Sequence, residues 1–220
     1  MPATLAEPRR PNLYGAEVEF QDVVRRRRMV RNYDPDRQVD PATVERILAN
    51  ATHAPSAGFS QGWGFLVLRR PEDRARFWRA TAGEGEPDSW LDGLRKAPVL
   101  IVCCSDRETY LDRYAEPDKG WTDRDEARWP ARYWDIDTGM AALLMLQTVV
   151  DEGLGACFFG LPPDKLTAVR SEFAIPAKVT PIGVVSVGHR APDRPGSPAS
   201  RRRRSWRDVA HEGNWDKPVV

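Results

Sequence analysis

Residues 137–160 read DTGMAALLMLQTVVDEGLGACFFG. Met140, Leu143, Leu144, Leu146, Gln147 and Val150 fall on nearly every side of a helix, which predicts a central, buried helix over 137–152. Gly153 is its expected C-cap, and residues 156–159 follow as a short strand. A helix with no polar face needs partners all round it. Residues 99–104, a continuous β-branched and apolar run, read as a strand covered on both faces. A short strand is expected at 65–68 and another strand at 182–187. Helices are expected at 16–28, from Asp40-Pro41 to about Ala54, at 71–79 and at 163–173; the first carries Val18, Phe20, Val23 and Val24 on one face, and the second opens on an N-cap acid and a proline. The alternation predicts a three-layer α/β or α+β domain with few strands.

The 220 residues suit one core, and 41% hydrophobic with 30% charged residues excludes a disordered or membrane-embedded chain. The longest mostly apolar run, 140–150, is about half of the ~20 residues that span a bilayer. The opening residues mix prolines, an acid and arginines with no apolar stretch, so a cytoplasmic chain is expected. Cys103, Cys104 and Cys157 lack the spacing of a disulfide framework or zinc site. The net charge of +1 provides no global field for nucleic acid or membrane. The expected organisation is an N-terminal arm over 1–15, a domain over 16–190 with a polar, tryptophan-rich excursion over 107–134, and an extended C-terminal arm over 191–220.

No GxxxxGK[ST] loop, GxSxG elbow or HExxH pair occurs, and His53, His189 and His211 have no evident partners in sequence. Two four-arginine blocks stand out, at 25–28 and 201–204. Guanidinium groups chelate phosphate oxygens, although a solvated basic helix end would look the same. Pro55-Ser56-Ala57-Gly58-Phe59-Ser60-Gln61-Gly62-Trp63 is a turn of small residues with hydroxyls, an amide and two aromatics, able to admit a planar ligand.

In order, Arg27-Arg28-Met29-Val30-Arg31-Asn32-Tyr33, Ala54-Pro55-Ser56 with Gln61-Gly62-Trp63, the strand at 65–68, Gly153-Leu154-Gly155 leading to Phe158-Phe159-Gly160, the strand ending at Gly188 and the basic tail resemble the FMN-dependent nitroreductase family. The resemblance spans about residues 21–215. It implies an α+β, three-layer α/β/α nitroreductase-like fold: a small, mostly antiparallel mixed sheet flanked by helices, with the C-terminal arm exchanged in a homodimer. It also implies FMN as cofactor, NADPH or NADH as donor, and a small aromatic acceptor such as a nitroaromatic or quinone reduced by a ping-pong mechanism.

By that resemblance, Arg27, Arg28 and Met29 with Arg201 and Arg203 lie at the phosphate and Arg31 near the ring. Pro55, Ser56, Ala57, Phe59 and Gln61 come from the partner protomer, and Phe158, Phe159 and Gly160 lie over the flavin, one amide facing N5. Trp121, Arg124, Trp129, Tyr133 and Trp134 form the expected substrate lid, with dimer packing as the alternative. No catalytic side chain and no metal are implied. Met29 stands where serine is usual, Phe59 where asparagine is common and Gly62 where proline is. Phenylalanine at that position also occurs in the flavin destructase branch, which makes dimethylbenzimidazole from FMN. A destructase, a non-catalytic flavin carrier and a nucleic-acid binder remain alternatives, the last opposed by the near-zero charge. Arg27→Ala is expected to release FMN far more readily than Arg9→Ala; equal flavin retention in the two purified variants would overturn the phosphate assignment.

Overall fold

The computed structural model describes residues 19–81, 89–192 and 202–219. Its framework is a four-stranded sheet: β1 (Trp63–Leu68), β2 (Val99–Asp106), β3 (Gly155–Phe159) and β4 (Val179–Gly188), in the order β1-β2-β4-β3, every pair antiparallel. A parallel bridge from Met29 to Ala156 on the outer side of β3 supplies the mixed element of the sheet.

Strand β2 explains the layering. Its side chains alternate between faces, and both faces are buried. Val99, Ile101 and Cys103 pack with Val44, Ile47, Met145 and Val149, from α2 (Pro41–Ala51) and α6 (Tyr133–Asp151). Leu100, Val102 and Cys104 pack with Phe77, Trp78 and Leu94, from α3 (Pro71–Thr81) and α4 (Ser89–Arg95). Each fully buried aliphatic side chain is worth about 1.5–3 kcal/mol, so the two faces hold a helical layer each and the chain folds as three layers, α+β. Helices α1 (Phe20–Arg26), α5 (Arg107–Ala115) and α7 (Leu166–Glu172) complete the described α-helices.

The differences from the sequence reading that bear on the site are in three elements. Helix α6 starts at Tyr133, not Asp137. Asp137 lies inside the helix, 3% exposed, with its carboxylate bonded to other segments. Helix α4 was not foreseen. Its Gly93 sits where a Cβ would come within 2.1 Å of the Arg31 carbonyl oxygen, so the residue that weakens the helical signal is what lets the helix dock. Helix α1 runs from Phe20 to Arg26, with Arg27 as its C-cap, and so ends before the expected Arg28, while residues 16–18 lie outside the described residues. Gly153, with φ +72°, does follow the last turn of α6, and Leu154 N donates to Val149 O at 2.9 Å. The expected N-terminal arm lies outside the described residues, as does most of the linker into the C-terminal tail.

Helices α2 and α6 are clamped by a bidentate pair. Arg46 Nε donates to Glu152 Oε1 and Nη2 to Oε2, both at 2.7 Å, while Thr43 Oγ1 donates to Oε2 at 3.2 Å. The Arg46 hydrogen bond is the main reason the Glu152 carboxyl is held below its ordinary value of 4.5. Because the folded value is the lower one, this stabilisation is complete above the ordinary range and is lost as pH falls through the depressed value. Glu152→Gln should lower Tm at pH 7 by about 2–4 °C. In thermal melts over a pH series, the gap to wild type should close as pH drops below 4.5.

Candidate functional site

The first arginine block and the last strand meet. After α1, the chain runs beside the free edge of β3: Val30 N donates to Ala156 O at 2.9 Å, and Phe158 N donates to Met29 Sδ at 3.5 Å. Tyr33 anchors the segment from beneath. It is fully buried, donates to Val30 O at 2.7 Å and shares a 2.8 Å hydrogen bond with Ser186 Oγ on β4. Strand alternation makes Gly160 the next outward-facing amide after Phe158, and a Cβ built on Gly160 would meet nothing within 4 Å.

The arginines of this segment have different tasks. Arg28 Nη1 donates to the carbonyls of Arg25 (2.6 Å) and Arg27 (2.9 Å), satisfying the C-terminus of α1. This is the helix-end role weighed for the block as a whole, and it falls to Arg28. Arg31 Nη1 reaches the Met29 carbonyl at 3.2 Å. Arg27 Nη1, by contrast, is buried with no hydrogen-bond acceptor. A guanidinium stays charged at every physiological pH, and a buried cationic donor without an acceptor is costly. This atom suits an anionic group, and the residues around it fit a phosphate-bearing ligand at the edge of β3.

Residues 189–192 also reach this segment. Asp34 N donates to His189 O and Ala191 N to Asn32 O, while Asn32 Nδ2 donates to Pro192 O at 2.6 Å. Residues 189–192, which follow β4, therefore lie beside the basic segment. Arg201 lies outside the described residues; Arg203 is exposed.

The loop 55–61 is built differently and stands elsewhere. Gly58, Phe59 and Gln61 all have left-handed backbone, φ +61°, +56° and +54°. For a bulky residue such as Phe59 this conformation is strained, and the loop is cross-braced to hold it. Phe59 N donates to Ser56 O at 2.9 Å, Gln61 N to Ser56 Oγ at 3.0 Å, and Ser60 Oγ to Ala57 O at 2.7 Å. Both serine hydroxyls are thus engaged inside the loop. The groups it presents outward are the Phe59 ring, 75% exposed, and the exposed Gln61 side chain. Pro55 is exposed beside them.

The loop leads into β1 while Met29 lies beside β3, so opposite sheet edges separate them. Trp63 registers through Ser105 with Thr180, and Ala156 with Val187. Strand spacing and rise put these two points roughly 25 Å apart in one chain. The structure therefore brings Arg27, Met29, Arg31, Phe158 and Gly160 together but leaves Pro55, Ser56, Ala57, Phe59 and Gln61 away from them. Phe158 packs its ring over Gly183, and Phe159 turns inward to stack on Trp78 at 5.9 Å.

The aromatic residues of 107–134 form one cluster. Trp129 is its centre, with ring centroids at 4.5 Å from Tyr114, 5.5 Å from Trp121, 5.8 Å from Tyr133 and 6.0 Å from both Tyr110 and Trp134. Trp134 is 2% exposed and offers no free face. Arg124 pairs with Asp112 and, at 2.6 Å, with Glu108. Of the five expected lid residues, Trp121 and Tyr133 keep partly exposed rings, and Trp129 has a buried Nε1 without an acceptor.

The sequence reading missed Tyr110, Arg113 and Asp137. Asp137 Oδ2 accepts from Ala57 N at 2.9 Å and from the Tyr110 hydroxyl at 2.8 Å, and Arg113 Nε donates to Gly58 O at 2.9 Å. Burial, and then the Asp137 carboxylate, raise the Tyr110 hydroxyl far above the ordinary tyrosine range, so it remains a donor at physiological pH. Burial likewise pushes Cys103 up to about 12 and Cys104 to about 11, which leaves both thiols protonated and unreactive at neutral pH. Among the described residues, no group of three or more His, Cys, Asp or Glu side chains could hold a metal ion, and no helix is long and apolar enough to cross a membrane.

The sequence model of the nitroreductase family matches residues 24–189. A Methanothermobacter thermautotrophicus protein bearing the name NADH dehydrogenase/NAD(P)H nitroreductase is 28% identical over 185 residues, 83% of this chain and 82% of that protein. The 5,6-dimethylbenzimidazole synthase of Rhodospirillum rubrum is 37% identical over 100 residues, 38% of this chain and 46% of the synthase. The FMN-dependent nitroreductase of Clostridium difficile R20291 shares the fold with a TM-score of 0.60, at 21% identity over 79% of this chain and 89% of that one.

Gly62, where the motif usually has proline, has a local reason. A Cβ there would lie 2.5 Å from Tyr110 Cε2 and 2.8 Å from the Asp106 carbonyl oxygen, whereas one on Gly64 would meet nothing within 4 Å. Gly62→Ala should therefore cost about 1–3 kcal/mol, and Gly64→Ala less than about 1 kcal/mol. Urea unfolding of the two variants against wild type measures the difference.

Proposed function

The chain belongs to the nitroreductase family, and from that premise we propose that it is an FMN-dependent oxidoreductase that passes electrons from NADPH or NADH to an electron-poor acceptor such as a nitroaromatic or a quinone. The observation that carries this reading is Arg27 Nη1, buried and without an acceptor, in a basic segment bonded to the edge of β3 that leads to Gly160. A phosphate would satisfy that atom. Arg31 adds positive charge for an anionic ring system, and Arg201 and Arg203 complete the phosphate set from the tail. When bound, the flavin supplies the chemistry, accepting a hydride from one substrate and delivering it to the next. The side chains bind, orient and exclude water, and no acid or base from the chain is required.

A homodimer completes the site in this reading. One protomer's basic segment and its own loop 55–61 stand too far apart to enclose one ligand, so Pro55, Ser56, Ala57, Phe59 and Gln61 come from the second copy. The surface for such pairing is an apolar stripe on α6. Ile136, Met140 and Leu143 are exposed at spacings of four and three residues, with Phe20 and Val24 exposed on α1, which packs against α6. The tail, with exposed Trp206, Val209 and Trp215, is the element exchanged. Trp121 and Tyr133 supply stacking faces for an aromatic acceptor. A cytoplasmic setting suits a chain whose three cysteines are free thiols.

A second reading is a flavin destructase acting on reduced FMN, favoured by Phe59 and by the identity shared with the R. rubrum synthase over 100 residues. One titration separates the two. Protein purified without added cofactor should show a flavin absorption band that bleaches anaerobically with NADPH or NADH and returns on adding a quinone or nitroarene. A band that resists both donors would favour the destructase or a carrier. No band, and no uptake of added FMN, would overturn the flavin reading.

A further inference from the structure

The strained loop and the aromatic excursion are joined at one oxygen atom. Asp137 Oδ2 takes both the amide of Ala57 in the loop and the hydroxyl of Tyr110 in α5. One turn further along the helix, Arg113 Nε holds the Gly58 carbonyl, and the Tyr114 ring closes over Gly58, where a Cβ would lie 2.7 Å from Cε2. The Tyr110 ring in turn sits against Gly62. Helix α5 thus grips the loop at both ends of its left-handed stretch, with three side chains on one face.

Left alone, a phenylalanine with φ +56° would relax toward ordinary backbone. The hydrogen bonds within the loop close its turn, but the groups that tie it to the body are Asp137 and Arg113. Around α5, the cluster centred on Trp129 and the pairs of Arg124 with Glu108 and Asp112 stiffen the excursion against itself. A mobile cover would not be braced in this way.

We infer that α5 and Asp137 are positioning elements for the cofactor loop: Tyr110 and Arg113, acting with Asp137 Oδ2 and the Gly58 carbonyl, hold residues 55–61 in the conformation that receives the ring end of the flavin. The excursion 107–134 is then a fixed buttress behind the loop. This rests on the flavin reading above. It places the effect on the ring end of the ligand, whereas Arg27 acts on the phosphate end. It also assigns Asp137 the task of a hydrogen-bond acceptor whose charge is dispensable, because both donors converge on one oxygen, which an asparagine carbonyl can replace.

The test combines hydrogen exchange of the full-length protein with flavin binding, using Tyr110→Phe, Asp137→Ala and Asp137→Asn, and Arg76→Gln as a control for general loss of stability. Arg76 pairs with Glu172 and Asp73 on the α3–α7 side of the molecule. In cofactor-free protein, Asp137→Ala and Tyr110→Phe should speed exchange in a peptide covering 55–61, by about tenfold for the alanine variant, while Arg76→Gln leaves it unchanged. The same two variants should weaken FMN and riboflavin by equal factors, so the ratio of the two dissociation constants stays at the wild-type value. Asp137→Asn should remain within about twofold of wild type in both measurements.

Unchanged exchange in Tyr110→Phe and Asp137→Ala would overturn the inference, as would a loss confined to FMN with riboflavin unaffected. An asparagine variant as impaired as the alanine variant would overturn the acceptor role. Should Asp137→Ala not fold, Tyr110→Phe, which keeps the ring, decides alone. Wild-type protein that binds neither flavin would overturn the flavin reading and with it the effect on affinity, while the exchange arm still decides whether the loop is braced.

Discussion

Strand β2 has no side that meets water, and the rest of the fold follows from that. A two-faced apolar strand is stable only with a helical layer against each face. Ile101 and Cys103 call for α2 and α6 on one side, and Leu100 and Val102 call for α3 and α4 on the other. Once those layers are in place, β1 and β3 are left as the edges of the sheet. Edges are where backbone donors and acceptors remain available to other segments. The two candidate binding segments each take one edge: the basic strand-like segment lies along β3, and loop 55–61 enters β1.

That division has an electrostatic side. The basic segment keeps its guanidinium groups close to main-chain carbonyls, which satisfy Arg28 and Arg31 and leave Arg27 Nη1 without an acceptor. The loop side of the molecule is organised by carboxylates instead, with Asp137 holding two donors and Glu108 and Asp112 pairing with Arg124. In the proposed dimer, an anionic group is therefore favoured at the basic segment of one protomer and a planar, uncharged group at the exposed Phe59 ring of the other's loop. A phosphorylated heterocycle has that same polarity.

Much of this was legible in the sequence because burial imprints periodicity. The unbroken run 99–104, the apolar residues of α6 and the Asp40-Pro41 start of α2 each carry a local signal that the packing then uses. The motif order also located the basic segment and the Phe158-Phe159-Gly160 turn that the fold brings together. What was not legible came from residues whose partners are remote in sequence. Asp137 reads only as the first residue of its helix because nothing nearby reveals Ala57 or Tyr110, which are 80 and 27 positions away. Helix α4 goes unread because the reason for its Gly93, the Arg31 carbonyl, belongs to another segment. Trp134 and Arg124 looked available for a ligand because composition alone does not distinguish an aromatic or a charge facing outward from one already paired.

The three cysteines, all buried, give the molecule a further property. With Cys103 and Cys104 pushed to about 12 and 11, neither is available as a thiolate on the surface of the native state. A thiol reagent therefore reaches Cys103 and Cys104 only when the central strand is uncovered. Since that strand carries the packing of both layers, its uncovering is the opening of the whole domain. Alkylation kinetics on this chain accordingly measure how often the fold comes apart, through a clock already present in its own core.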